Sequence, residues 1–258
     1  MLGGPCGRKG NIMTILERIK CRIDPLLQIT QGSTPIVFFG DYENARSCTI
    51  SLNPSDREFC DKHGNILFNE KERLCSRKKL SRLDDEELSD KEAYTVLEYC
   101  KNYFKIRPYK NWFDKYEAFL EIFNLSYYSG SVVHLDLVQW ATTPFWSNLN
   151  DNTKIKLLNA DLPFLKELLN KDFEYIFLNG KTVVHEVSKH LNIKLHEIIV
   201  SGINNYNLKI YFGYYNRSRI IGWSIYLQSA AVGSYSNVKK IASIIYEENT
   251  EHLTTAST

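Results

Sequence analysis

Arg46-Ser-Cys-Thr-Ile-Ser-Leu-Asn-Pro-Ser-Asp-Arg-Glu-Phe59 changes character at its midpoint. The first half alternates small and β-branched residues, which predicts a short buried strand. Asn53-Pro54 stops it, because proline has no N–H for a sheet ladder and biases the residue before it away from helix. Ser55 and Glu58 then stand at capping-box spacing, and Asp56 and Glu58 suit the positive end of a helix dipole. The predicted unit is strand, turn, helix, with the Asn53 carboxamide at the carboxyl end of the strand. In open α/β sheets that is where ligands bind. The plainer reading of Asn-Pro is a turn initiator with no further role.

The pattern repeats along the chain. Upstream, Ile12, Ile15, Leu16 and Ile19 share one face of an amphipathic helix that ends near Asp24-Pro25, and Pro35 to Ala45 leads into the first strand, with a turn at Gly40-Asp41. Downstream, residues 85–128 read as helical: Ser89 and Glu92 form a second capping box, and Trp112 to Phe123 carries an aromatic face best assigned to the core. Val132 to Val138 is a nearly continuous apolar run interrupted by His134 and Asp136, as in strands covered on both faces. A helix over 152–170, kinked or restarted at Pro163, precedes a strand over 174–180 and a helix over 181–191. A short strand at 198–201, strands at 208–213 and 219–226, and a closing helix over 237–247 complete the chain. Alternation of this kind predicts an α/β fold, a three-layer α/β/α sandwich whose mostly parallel central sheet has four to five strands, with a helical insertion at 85–128. The expected organisation is an N-terminal helical extension (1–34), one main domain (35–248) and a frayed tail (249–258).

Composition narrows the class. A chain of 258 residues, 43% hydrophobic and 24% charged, is ordinary for a globular protein. No apolar run approaches the roughly 18 residues of a membrane span. Met1 to Asn11 is glycine-rich and basic, unlike a secretory signal, so a cytoplasmic monomer without membrane association is expected. The six cysteines include no C-x-x-C pair, and the six histidines are scattered. Neither a metal, another cofactor nor a disulfide framework is expected. With a net charge of only +2, contact with nucleic acid has to come from a local patch. Lys71, Arg73, Arg77, Lys78, Lys79 and Arg82 form one beside the acidic run Asp84 to Glu87, read either as phosphate contacts or as solvated helix ends.

Thr49-Ile-Ser-Leu-Asn-Pro-Ser55 resembles the first motif of the uracil-DNA glycosylase superfamily, closest to its mismatch-specific branch, where a glycine-isoleucine-asparagine-proline turn follows the first strand. Leu135-Asp-Leu-Val-Gln-Trp140 is similar to the region that reads the base, and the later order of elements fits across roughly 35–80 and 130–248. The chain departs from the family at the second motif, where Gln228-Ser-Ala-Ala-Val-Gly233 replaces His or Asn before Pro-Ser, and at Asp136, where Asn is common. The resemblance implies hydrolysis of the N-glycosidic bond of a flipped-out base in DNA, leaving an abasic site. It implies that Asn53 orients water, with Asp41 or Asp56 adding base strength, and that Phe59 stacks on the base beside Asp136, Gln139 and Trp140. It also implies that Pro54, Ser55, Arg73, Arg77, Lys78, Gln228, Ser229 and Gly233 contact DNA.

Asp136 bears on the substrate. Asn can donate to a uracil carbonyl and accept from its ring N–H, whereas an ionised Asp only accepts. It would repel uracil O4 but suits the N4 amino group of cytosine. Because ordinary genomic cytosine must be spared, a C5-modified cytosine (hydroxymethylated or glucosylated) is expected, a use that resembles superfamily members that act in anti-phage defence. The alternatives are a repair glycosylase for uracil or mismatched pyrimidines, and a non-catalytic reader of modified bases.

Overall fold

A computed structural model of the chain describes residues 13–203 and 206–256. The Met1–Asn11 stretch and Cys6 lie outside the described residues. Six strands, β1 (Ser47–Ser51), β2 (Val132–Asp136), β3 (Tyr175–Asn179), β4 (His196–Ile203), β5 (Tyr206–Tyr215) and β6 (Ser218–Trp223), form one sheet in the order β2-β1-β3-β6-β5-β4. β1, β3 and β6 run parallel, with Thr49 opposite Phe177 and Phe177 opposite Ile221. The β4–β5–β6 side is an antiparallel meander that reverses at Asn216, whose φ is 52°. The α/β class is therefore as expected, with one or two strands more than the apolar runs suggest. β4 and β5 extend to 8 and 10 residues because each satisfies the other's backbone beyond its own hydrophobic stretch.

The helices are α1 (Ile15–Lys20), α2 (Asp90–Lys101), α3 (Tyr103–Ile106), α4 (Lys110–Leu120), α5 (Asp151–Leu168), α6 (Lys181–Leu191) and α7 (Tyr235–Ala256). The capping box expected at Ser89 and Glu92 is formed, and a further one stands at Thr14 and Glu17. α1 is much shorter than the amphipathic pattern predicts. Its continuation is claimed by another segment: Ile23 N–H donates to Asp84 O at 2.8 Å, and Leu88 N–H donates to Lys20 O at 3.1 Å. α5 runs through Pro163 without a break. Leu162, Phe164 and Leu165 around it are buried, and that packing outweighs a local cost of about 3 kcal/mol. The segment from Asn249, expected as a frayed tail, instead continues α7 to Ala256, with Asn249 buried and its Oδ1 accepting from Arg219 Nε at 2.6 Å.

The chain divides into two compact units, one of Met1–Tyr42, Leu52–Tyr109 and His134–Lys171, the other of Glu43–Ser51, Lys110–Val133 and Asp172–Thr258. The helical stretch 85–128 is thus not one inserted body, since it is shared out at Tyr109. The second unit is layered by itself. On one sheet face α6 brings Val184 over Leu178 and Gly222, and on the other Phe119 of α4 stacks on Trp223 at 4.2 Å while Phe123 meets Phe177 and Tyr246 of α7. The aromatic face of Trp112 to Phe123 is core, as expected. The first unit is held by buried polar groups. Arg18 reaches Asp161 at 2.7 Å and Gln139 Oε1 at 3.3 Å, and Gln139 N–H donates to Asp161 Oδ2 at 2.8 Å.

Cys21 is disulfide-bonded. Burial pushes the Cys75 and Cys100 thiols up to about 12, which removes both as nucleophiles at neutral pH. Among the described residues, no helix is long and apolar enough to cross a membrane.

Gly222 offers a direct test of the layer packing. A Cβ there would stand 2.8 Å from Val184 Cγ2, on a β-branched side chain with little room to turn. Gly222→Ala is expected to lower unfolding stability by about 1–3 kcal/mol, measured by denaturant midpoint. Val184→Ala in the same chain should recover part of the loss.

Candidate functional site

The turn after β1 is fixed by its own carboxamide. Asn53 Nδ2 donates to Pro54 O at 3.0 Å, Trp140 O at 3.3 Å and Thr142 Oγ1 at 3.1 Å. Two of those acceptors are carbonyls, so the orientation of the amide is set by chemistry. Oδ1 is left facing the other way on a half-buried residue, with no hydrogen bond among the described residues. The turn is further tied to the strand-end loop by Val138 N–H donating to Leu52 O at 3.0 Å and by a bridge between Ser55 and Thr142.

Ser55 caps the short turn after Pro54, but not as a capping box. Its Oγ accepts from Arg57 N–H at 3.1 Å, and Asp56–Glu58 is a single 3-10 turn. Glu58 does not reach back to Ser55. It points inward, is 4% exposed, and its Oε2 accepts from Tyr103 Oη at 2.6 Å. Tyr109 N–H donates to the same phenol oxygen at 2.9 Å. Burial raises the Glu58 carboxyl to about 7, against the lowering effect of Tyr103 and Arg73 and with a further upward push from Asp136.

Asp136 ends β2. It is 3% exposed, and neither carboxylate oxygen accepts a hydrogen bond among the described residues. The nearest cation-forming group is His134, with Nε2 3.6 Å from Asp136 Oδ1, beyond hydrogen-bonding distance. His134 exchanges backbone hydrogen bonds with Phe39, whose ring lies 5.4 Å from the His134 ring and 4.7 Å, edge to face, from Tyr103. Glu58, Tyr103, Phe39, His134 and Asp136 therefore form one contiguous buried cluster in the first unit. Sequence reading identifies Asp136 but assigns Glu58 only a capping role. The signal that could have placed it is an acid one residue before a phenylalanine that itself has to be buried.

The other expected site residues divide. Phe59 is buried, as is Pro54. Asp56 accepts from Ser55 Oγ at 3.2 Å and stands 3.8 Å from Arg57 Nε, while Asp41 is half-buried in the turn after Phe39. Gln139 is occupied by Arg18, Asp136 O and Leu137 O, and the Trp140 ring lies under the Arg18 guanidinium. Both side chains thus support the loop.

The basic run is corrected at Arg77. This side chain is 0% exposed and donates to the carbonyls of Ser33, Leu83, Glu86 and Cys21, so it cannot meet a phosphate. Arg73 spends its donors on the carbonyls of Arg57, Arg107 and Pro108 and lies over Tyr109. Lys79 pairs with Glu72, and Arg82 with Glu92 and Glu86. Lys78 remains exposed, 5.2 Å above the Phe68 ring. In the second unit, Gln228 bridges Asn179 Nδ2 and Trp112 O, Ser229 Oγ is buried without a partner among the described residues, and Gly233 takes a φ of 69°.

Glu58 makes stability depend on pH. Its carboxyl is raised from about 4.5 unfolded to about 7 folded, so its contribution is fully present below the unfolded value and is lost as pH rises through the folded one. The expected loss is on the order of 3 kcal/mol between pH 4.5 and 7. Glu58→Gln should flatten that segment of the stability curve, measured by urea unfolding at a series of pH values.

No protein-family model, curated protein or solved structure matches the chain, so its chemistry has to be read from these residues.

Proposed function

We propose that the chain is a monofunctional DNA glycosylase that hydrolyses the N-glycosidic bond of a flipped-out, C5-modified cytosine. The observation that carries this reading is the Asp136 carboxylate, buried at the end of β2 with both oxygens free of donors among the described residues. A buried carboxylate without donors is costly, and each such group calls for an explanation. An amino group presented by a bound base supplies the missing donor, and cytosine N4 is of that kind while uracil O4 is not.

The rest of the chemistry depends on positioning. As the bond breaks, the sugar becomes oxocarbenium-like and the base takes up negative charge. Asn53 Oδ1 accepts from a water and orients it toward the sugar. The carboxamide is too weak a base to take the proton early, so its contribution is geometric. Lys78 and Lys71, both exposed members of the basic run, are retained as outer phosphate contacts. The modification at C5 rests on the need to spare unmodified cytosine, and a role in defence against phage with such DNA belongs to the same proposal.

Two measurements test the reading. Asp136→Asn is expected to lose activity on duplexes carrying 5-hydroxymethylcytosine and to gain on uracil, with relative single-turnover rates shifting about ten- to hundredfold. Equal proportional losses on both bases would return Asp136 to a structural role. Asn53→Ala should keep duplex affinity while base release falls by about a hundredfold or more. It also frees the Trp140 carbonyl, at a stability cost of about 1–3 kcal/mol. Tight binding of modified duplex by the wild type, with no abasic product after alkali, would replace the enzyme with a reader.

A further inference from the structure

We propose that the last two turns of α7, Asn249 to Ala256, are an acid-released clasp, docked on the sheet while His252 is neutral and let go when His252 takes up a proton beside Arg219. The inference concerns the second unit alone and does not depend on the proposed activity.

α7 is attached in two ways. Val238, Ile241, Ala242 and Ile245 are buried and fix its first part by an apolar stripe. From Asn249 onward the attachment is polar and aromatic. Arg219 of β6 donates from Nε to Asn249 Oδ1 at 2.6 Å, and its Nη2 stands 3.4 Å from His252 Nδ1. The His252 ring lies 4.9 Å from the Phe212 ring of β5 and 5.4 Å from the His196 ring of β4. Leu253, the large apolar residue of this segment, is 37% exposed.

The segment has little helical stability of its own. Thr250, Thr254 and Thr255 are β-branched. The hydroxyls of Thr250 and Thr254 donate back to Tyr246 O at 2.9 Å and Thr250 O at 3.0 Å, a contact that weakens a helix slightly. Two turns also fall short of the roughly 12–15 residues at which an isolated helix becomes even marginal. Docking therefore decides whether this end is helical.

Arg219 selects the state of His252 that docks. A guanidinium only donates, so Nδ1 has to accept, which requires a neutral imidazole with its proton on Nε2. Protonation at Nδ1 turns the acceptor into a donor aimed at another donor and sets a second positive charge against the first. Arg219 is held in place, buried, with Nη1 donating to Tyr214 Oη at 2.9 Å and the guanidinium over the Phe212 and Tyr214 rings.

The titratable and charged groups around His252 are Arg219 from β6, His196 from β4 and Tyr214 from β5, with Glu248 and Glu251 on α7 itself. Glu248, one turn back, and the negative end of the helix favour the charged form. Burial, Arg219 and His196 act the other way and hold His252 below the ordinary histidine value of 6.5. The docked value thus lies below that of the released segment. Docking is fully favoured above 6.5 and weakens as pH falls from there through the docked value. Over that interval the ratio of docked to released forms should drop by up to about tenfold per pH unit.

NMR of the full chain tests the clasp. At about pH 7.5 the Cα shifts of Thr250 to Thr255 should be helical. Towards about pH 5 they should move to coil values together with the His252 ring titration, while Val238 to Ile245 stay helical. His252→Asn keeps an acceptor close to the Nδ1 position and cannot be protonated, so its helix end should remain docked at the lower pH. His196→Ala removes one of the two repelling cations and should raise the His252 midpoint, and the pH of release with it, which a merely structural contact would not do. Coil shifts in the wild type at the higher pH, or helical shifts below its His252 midpoint, would overturn the proposal. So would acid release of His252→Asn from a docked state. If His252→Asn is undocked at both pH values, His196→Ala decides: release that follows the raised His252 midpoint supports the clasp, and release at an unchanged pH overturns it.

Discussion

A carboxamide that must serve two carbonyls can face only one way, and much of the first unit's site depends on that constraint at Asn53. Its Nδ2 ties the turn after β1 to Trp140 O and Thr142 Oγ1 in the loop after β2. With the turn held there, Pro54 is buried and Ser55 caps a single 3-10 turn, too short for the side chain of Glu58 to close back on its cap. Glu58 is directed to Tyr103 instead. One local set of hydrogen bonds thus exposes an acceptor at Asn53 and sends an acid into the interior.

Burying acids has a cost that has to be met in some way. At Asp161 the answer is an ion pair with Arg18 plus a backbone donor from Gln139. At Glu58 it is a phenol and a shift of the carboxyl up to about 7. At Asp136 neither oxygen accepts a hydrogen bond among the described residues, and His134 Nε2 stands 3.6 Å from Oδ1. Four acids are buried in that unit, Glu58, Glu72, Asp136 and Asp161; Glu72 Oε1 also lacks a partner, and at Asp136 neither oxygen has one among the described residues. The same contrast separates the cations. Arg77 is fully committed to four carbonyls and behaves as a core residue, whereas Lys78, its neighbour in sequence, stays in solvent.

Elements governed by near neighbours were legible from the sequence. The end of β1 at Asn53-Pro54, the Ser89–Glu92 box, the strands at 132–136 and 175–179 and the helix at 181–191 arise from dihedral preference, capping and apolar periodicity, all of which act over a few residues. Asp136 was legible for the same reason, as a charge inside an apolar strand. What only the tertiary structure decided is the destination of long polar side chains and the extent of elements that have distant partners. Arg77 looks like its neighbours in a basic run until the carbonyls of Cys21 and Ser33 meet it, and no local pattern encodes that meeting. α1 stops early because residues 84–88 take its backbone, and Asn249 is helical because Arg219 holds it. Glu58 belongs to this group. Its spacing from Ser55 describes a cap, but the hydroxyl of Tyr103 and the cost of desolvation make it a buried acid.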